Sequence, residues 1–167
     1  IVYNYTANNL EKSNDLEMEH LFKQETSLIQ RELDINIEVL ASLGNLFKSQ
    51  KDVTRAQFKK FVNGSLSKYQ SIQALEWIPR VPDHLRSAYE ERAAKDLNLD
   101  FKIKSKNSEG KMVPEKTKKE YFPVYYVEPL LGNLKAVGFD LSSSATRLAS
   151  LDQSRKSKRS AATARIK

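Results

Sequence analysis

Ile72-Gln-Ala-Leu-Glu-Trp-Ile-Pro-Arg-Val-Pro82 is the stretch on which the reading of this chain turns. It holds the only tryptophan, and Pro79 and Pro82 force the residues before them into extended backbone. A strand from Ser71 to Val81, ending or lying at a sheet edge, is the expectation. Downstream, a second dense block follows the same logic: Tyr121-Phe-Pro-Val-Tyr-Tyr-Val-Glu-Pro129, then Ala136-Val-Gly-Phe-Asp-Leu141. Between them Glu128-Pro129-Leu-Leu-Gly132-Asn133 has the residues of a hairpin connection, so Tyr121–Val127 and Leu134–Asp140 are read as paired strands.

Upstream lies the strongest helical signal. From Leu10 to about Ser49, Phe22, Ile29, Leu33, Ile37, Leu40 and Phe47 recur at helical steps, with charged residues opposite and no proline. A helix from Leu10 to Phe47 would run about 57 Å at ~1.5 Å per residue. Either it is a long core helix, or its stripe is a seam with a second copy of the chain. Ile1 to Asn9 is short of helix signals. A long helix feeding a tryptophan-containing strand and later aromatic strands gives the fold class as α+β, a helix docked on an antiparallel sheet. Two segments follow: residues 1–50 as a signalling or dimerisation helix, and 51–167 as the globular part.

The remaining segments fill in the second part. Thr54 is placed to cap a helix containing Phe58, Phe61, Val62 and Leu66, and Asp83 to cap one that ends near Leu97 and Asn98. Phe101-Lys-Ile-Lys104 alternates as a half-buried strand does, and Asn107–Lys119 reads as a lysine-rich loop. Ser142 to Ser154 is expected as a short helix capped by Ser142 or Ser143. Ala161–Ile166 then starts a closing strand just as the chain stops.

Composition excludes several chemistries. With no cysteine among 167 residues, a disulfide framework and a thiolate metal site are out of reach, and only His20 and His84 could offer imidazole. No phosphate loop, catalytic triad or metal-ligand spacing is present, so the expectation is no enzyme activity, no cofactor and no metal in this chain. The excess of 28 Lys+Arg over 21 Asp+Glu gives a net charge of +7, which permits binding to nucleic acid or an anionic membrane. No nucleic-acid module accompanies that charge, so a basic nucleic-acid binder and a bare dimerisation scaffold stand as the alternative readings. No apolar run reaches bilayer length. The chain opens at Ile1 without methionine, so it is expected to be an excised fragment whose flanking membrane segments lie outside it.

The blocks ALEWIPRVP, Ala74 to Pro82, and YFPVYYVEPLLGNLKAVGFDL, Tyr121 to Leu141, closely resemble the CHASE domain, the extracytoplasmic sensor module found ahead of histidine kinases and diguanylate cyclases. The resemblance continues through Arg147, Leu148 and Leu151 to Ala161-Ala-Thr-Ala-Arg-Ile166, and spans Phe58 to Lys167. It implies a periplasmic sensor between transmembrane helices. A long helix leads into a PAS-like antiparallel sheet with a small-molecule pocket, homodimerising through that helix, and the membrane-proximal half is missing here. In the plant members, which bind cytokinins, a threonine matched by Thr163 is required for recognition, and an aspartate holds the ligand's nitrogen donors where Arg147 stands here. That reversal of charge argues against cytokinin and for a carboxylate or phosphate group. Alternatively Arg147 pairs with Asp140 or Asp152 and only supports structure. Phe122, Val124, Tyr126, Ala136, Gly138 and Phe139 are candidate pocket-wall residues, with the inward-facing alternation left open. Trp77 and Arg80 are read mainly as fold determinants that could also touch ligand.

Overall fold

The computed structural model describes residues 2–50 and 52–165, with side chains from Asn14 onward. Lys51 and Ile166, the last residue of the expected closing strand, lie outside the described residues. The chain divides into two compact units, Ile1–Ala41 and Ser42–Lys167.

The first unit is helix. Helix α1, Val2–Ser49, starts earlier than the sequence predicts, because helical hydrogen bonding runs through the polar Tyr3 to Asn9 stretch despite its weak propensity. Along the described part of this unit the predicted stripe is open: Phe22 is 76% exposed and Ile29 61%, with Leu33 and Ile37 about half exposed. Local contacts are those of a solvated helix, such as the Lys23–Glu19 ion pair at 2.8 Å and the Gln30 amide donating to Asp34.

The second unit holds the rest of the secondary structure. Helix α2, Arg55–Lys68, begins at a capping box in which Thr54 accepts from the Gln57 amide and Gln57 reaches back to the Thr54 amide. Strand β1, Leu75–Trp77, and β2, Val81–Pro82, are much shorter than the predicted Ser71–Val81 strand, since Pro79 interrupts the run between them. Helix α3, Arg86–Leu97, ends on Asn98 in the left-handed conformation, φ 50°. Its expected cap, Asp83, sits instead in a 3-10 turn, Asp83–Leu85, and accepts a hydrogen bond from Tyr121.

Strands β3, Lys104–Lys106, and β4, Met112–Pro114, form a hairpin, so the predicted Asn107–Lys119 loop contains a strand and the predicted Phe101–Lys104 strand is shifted along the chain. The expected Tyr121–Val127 strand is two pieces, β5, Glu120–Tyr121, and β6, Tyr126–Glu128, separated around Pro123. The named strands pair antiparallel, β1 with β6, β2 with β5 and β3 with β4, while the bridge between Lys104 and Phe139 is parallel.

The three pairs are joined by hydrogen bonds through segments too bent to count as strands. Lys104 donates its amide to Gly138 and accepts from Asp140, Gly138 donates to Val124, Val124 donates to Phe139, and Tyr125 donates to Trp77. The lanes run β4, β3, Gly138–Asp140, the Phe122–Glu128 segment and β1. The predicted Leu134–Asp140 return strand is thus only its last residues; Leu134–Ala136 is a 3-10 turn. Gly138 explains the bend: its φ of +81° suits glycine, and a Cβ there would stand 2.3 Å from the Lys102 carbonyl oxygen.

Helix α4, Ala145–Ser157, starts later than predicted, after a 3-10 turn at Leu141–Ser143 into which Ser142 is drawn by Asp140. The expected closing strand is absent from the described residues 161–165, which are irregular. The core gathers Phe58 and Val62 of α2, Val81, Ala93 of α3, Ile103, Tyr121, Val124 and Val127, all buried. At about 25 cal/mol per Å² of apolar surface, such side chains supply the main folding force. Among the described residues, no helix is long and apolar enough to cross a membrane.

Candidate functional site

Two polar assemblies lie on this sheet, and they differ in how completely their charges are answered. The first is centred on Tyr121 and Asp140. Asp140 is fully buried; its Oδ1 accepts from the amides of Phe122 and Ser142 and from the Ser142 hydroxyl, and its Oδ2 pairs with Lys118 at 2.5 Å. Lys118 also meets Glu115 at 3.5 Å. The Tyr121 hydroxyl donates to Asp83 and accepts from the Lys118 amide and Arg86, whose guanidinium stacks over the Tyr121 ring. Arg86 continues to Glu90, which also accepts from the Ile103 amide and Lys102. Burial works to raise the Glu90 pKa, but the Ile103 amide, Arg86 and Lys102 outweigh it and hold the carboxyl below its usual range.

The second assembly is an open cleft of about 430 Å³ between the β3–β4 hairpin, the 3-10 turn before Gly138 and α4. Lys106 and Met112 form one wall, Lys135 and Ala136 another, and Phe139 and Arg147 the third. The Arg147 guanidinium stands 5.0 Å over the Phe139 ring, a cation–π contact. Neither acid expected as an alternative partner is available: Asp140 is bound to Lys118 and Asp152 to Arg155 at 2.8 Å. Among the described residues Arg147 makes no ion pair. Its charge is felt by Glu76 on β1, where burial pushes the carboxyl above its ordinary range and the Arg147 field opposes that push.

Of the residues singled out from sequence, Arg147, Phe139 and Ala136 meet in this cleft. Val124 and Tyr126 are buried in the core, where the Tyr126 hydroxyl donates to the Val53 carbonyl and burial raises its pKa to about 12. Phe122 is half-buried beside Asp140, which accepts its amide. Trp77 stacks on Phe47 at the end of α1, with centroids 3.5 Å apart and planes within 7°. Arg80 pairs with Glu120 at 2.6 Å. Thr163 is exposed in the irregular segment after α4. Lys106 and Met112 were not anticipated as cleft residues because they read as the edge and interior of a loop, nor was Lys135, which reads as part of the Leu134–Asp140 strand. Lys106 alone left a trace, the alternation Lys102, Lys104, Lys106, which continues the predicted strand by one more step.

The profile of the CHASE domain matches residues 51–167, well over half the chain. The chain belongs to the CHASE domain family. CHASE domains are extracellular sensor modules of membrane receptors, not catalytic domains. A curated relative is the germination-specific adenylate cyclase of Dictyostelium discoideum, 27% identical over 135 residues. That match covers 80% of this chain and 16% of the relative, so the likeness concerns a small part of the cyclase.

Proposed function

We propose that this CHASE domain is the extracytoplasmic ligand-sensing part of a transmembrane signalling receptor. In a bacterial cell it would lie in the periplasm between membrane helices. Its output domain would be a histidine kinase or a diguanylate cyclase, and the adenylate cyclase relative is in keeping with a nucleotide cyclase. The observation that carries the reading is β1. Successive strand residues point to opposite faces. Glu76 senses Arg147 of the cleft, while its neighbour Trp77 is stacked on Phe47 of α1. A ligand that binds two positions of β1 unequally therefore biases the end of α1, as any effective ligand must.

A homodimer through α1 completes the proposal. The seam would be Phe22, Ile29, Leu33, Ile37 and Leu40, exposed apolar residues at helical spacing. The test is made in membranes with the receptor that contains this chain. Arg147→Ala and the cleft-filling Ala136→Trp should abolish the stimulus-dependent change in kinase or cyclase output, with expression and melting preserved. An unaltered response from both sinks the sensor reading. Because this chain has no cysteine, Ile29→Cys and Leu33→Cys should cross-link between copies while Arg31→Cys does not; equal yields from all three would reject the seam.

A further inference from the structure

We propose that the cleft takes a small organic dianion, two carboxylates or one phosphate monoester on an apolar, flat body. This rests on reading the cleft as the sensor site and adds what it recognises. Three cations converge there from separate parts of the chain: Lys106 from β3, Lys135 from the 3-10 turn and Arg147 from α4. Among the described residues no carboxylate lines the cleft. The acids on nearby segments are engaged elsewhere, Glu109 with Lys111, Asp152 with Arg155 and Glu120 with Arg80. Among the described residues none of the three cations has an ion-pair partner.

Like charges gathered without a counter-charge repel one another, and an entering anion removes that cost. A single carboxylate facing Arg147 would leave both ammonium groups unanswered, and a neutral ligand would leave all three. Two negative charges match the set. The geometry also divides the labour. Phe139 holds the guanidinium by a cation–π contact that uses none of its N–H donors and leaves them for a carboxylate or phosphate fork. Lys106 and Lys135 are point charges on flexible stems, suited to a second group whose position is less tightly fixed. Met112, Ala136 and Phe139 supply the apolar surface for the body between the charges. A volume of about 430 Å³ is in the ordinary range for small-molecule sites. Glu76 does not line the cleft; it lies on the β1 side of Arg147 and donates nothing to a ligand in the opening.

The experiment uses the full receptor solubilised in detergent and four probes on one benzene scaffold: isophthalate, phenyl phosphate, benzoate and isophthalamide. Binding is measured calorimetrically at low and at high salt. One or both dianions should bind at least about tenfold more tightly than benzoate, and isophthalamide weakest, with the differences shrinking as salt rises. Arg147→Ala should lower dianion and benzoate affinity alike, by about tenfold or more. Lys106→Ala with Lys135→Ala should bring dianion affinity down to the benzoate level while leaving benzoate unchanged. Isophthalamide binding as well as isophthalate, or lysine variants that affect none of the probes, would overturn the dianion assignment. If no probe binds although Arg147→Ala still silences the receptor, the ligand class is wrong and the sensor reading stands. If the dianions bind as expected but Arg147→Ala leaves the receptor response intact, the recognition chemistry stands and the sensor reading fails.

Discussion

The Tyr121–Asp140 assembly and the Arg147 cleft lie close together on the second unit, yet in one every buried carboxylate meets a cation and in the other, among the described residues, no cation meets a carboxylate. Around Asp140 three donors meet one carboxylate oxygen and a lysine meets the other, while Arg86, Lys102 and Glu90 close their own circuit. The cleft is lined by three cations and one aromatic ring, and among the described residues none of the cations has an ion-pair partner. Burial of a charge is tolerated only when it is paired and hydrogen-bonded. Buried carboxylates that each meet a cation therefore mark an assembly that holds the fold together, and charge left open in a concavity marks one that is available to a ligand.

The largest effect should come from the paired side. Asp140→Ala removes the acceptor for the Phe122 and Ser142 amides and strands Lys118, at a cost of about 3–5 kcal/mol. Urea unfolding measures it, and a loss below ~1 kcal/mol would erase the distinction drawn between the assemblies. Next in size is a pH effect. Because the Glu90 pKa is lowered on folding, its contribution is present above the ordinary glutamate value of 4.5 and is lost as the pH falls through the lower, folded value. Melting temperature should drop more steeply below pH 4.5 in the wild type than in Glu90→Gln, which starts lower but flatter; parallel curves would mean that Glu90 is not held ionised. The smallest change is expected at the cleft, where Arg147→Ala should alter unfolding free energy by no more than about 0.5 kcal/mol. A loss of ~2 kcal/mol would move Arg147 to the structural side.

Much of this was legible in the chain itself. The helical period from Phe22 to Leu40, the Thr54 cap and the Asn98 stop are local signals, written within a few residues of where they act. The strand boundaries were not local. Tyr121–Val127 reads as one strand by composition, but at Pro123 it leaves β2 and bridges to Asp140 instead, and Leu134–Asp140 yields to the close approach of Lys102 at Gly138. Glycine in a sequence says that a bend is possible, without saying which carbonyl will come near. The cleft was half visible. Arg147 and Phe139 could be named from the family likeness, whereas Lys106 and Lys135 become neighbours only through the hairpin and the 3-10 turn, two features that polar, aperiodic sequence conceals. Thr163 shows the reverse: its proposed role came from a matched position, and it lies on an irregular, exposed segment.

β1 is only three residues long, Leu75 to Trp77, with Glu76 and Trp77 on opposite sides. Its wiring is a matter of parity: even position toward the arginine, odd position toward the helix. Inserting or deleting one residue ahead of Glu76 would exchange the two sides, turning the tryptophan to the charged neighbour and the carboxylate to the aromatic stack. Length in the linker before this strand should therefore be free to vary only where the loop can absorb the change before the first paired residue, Leu75.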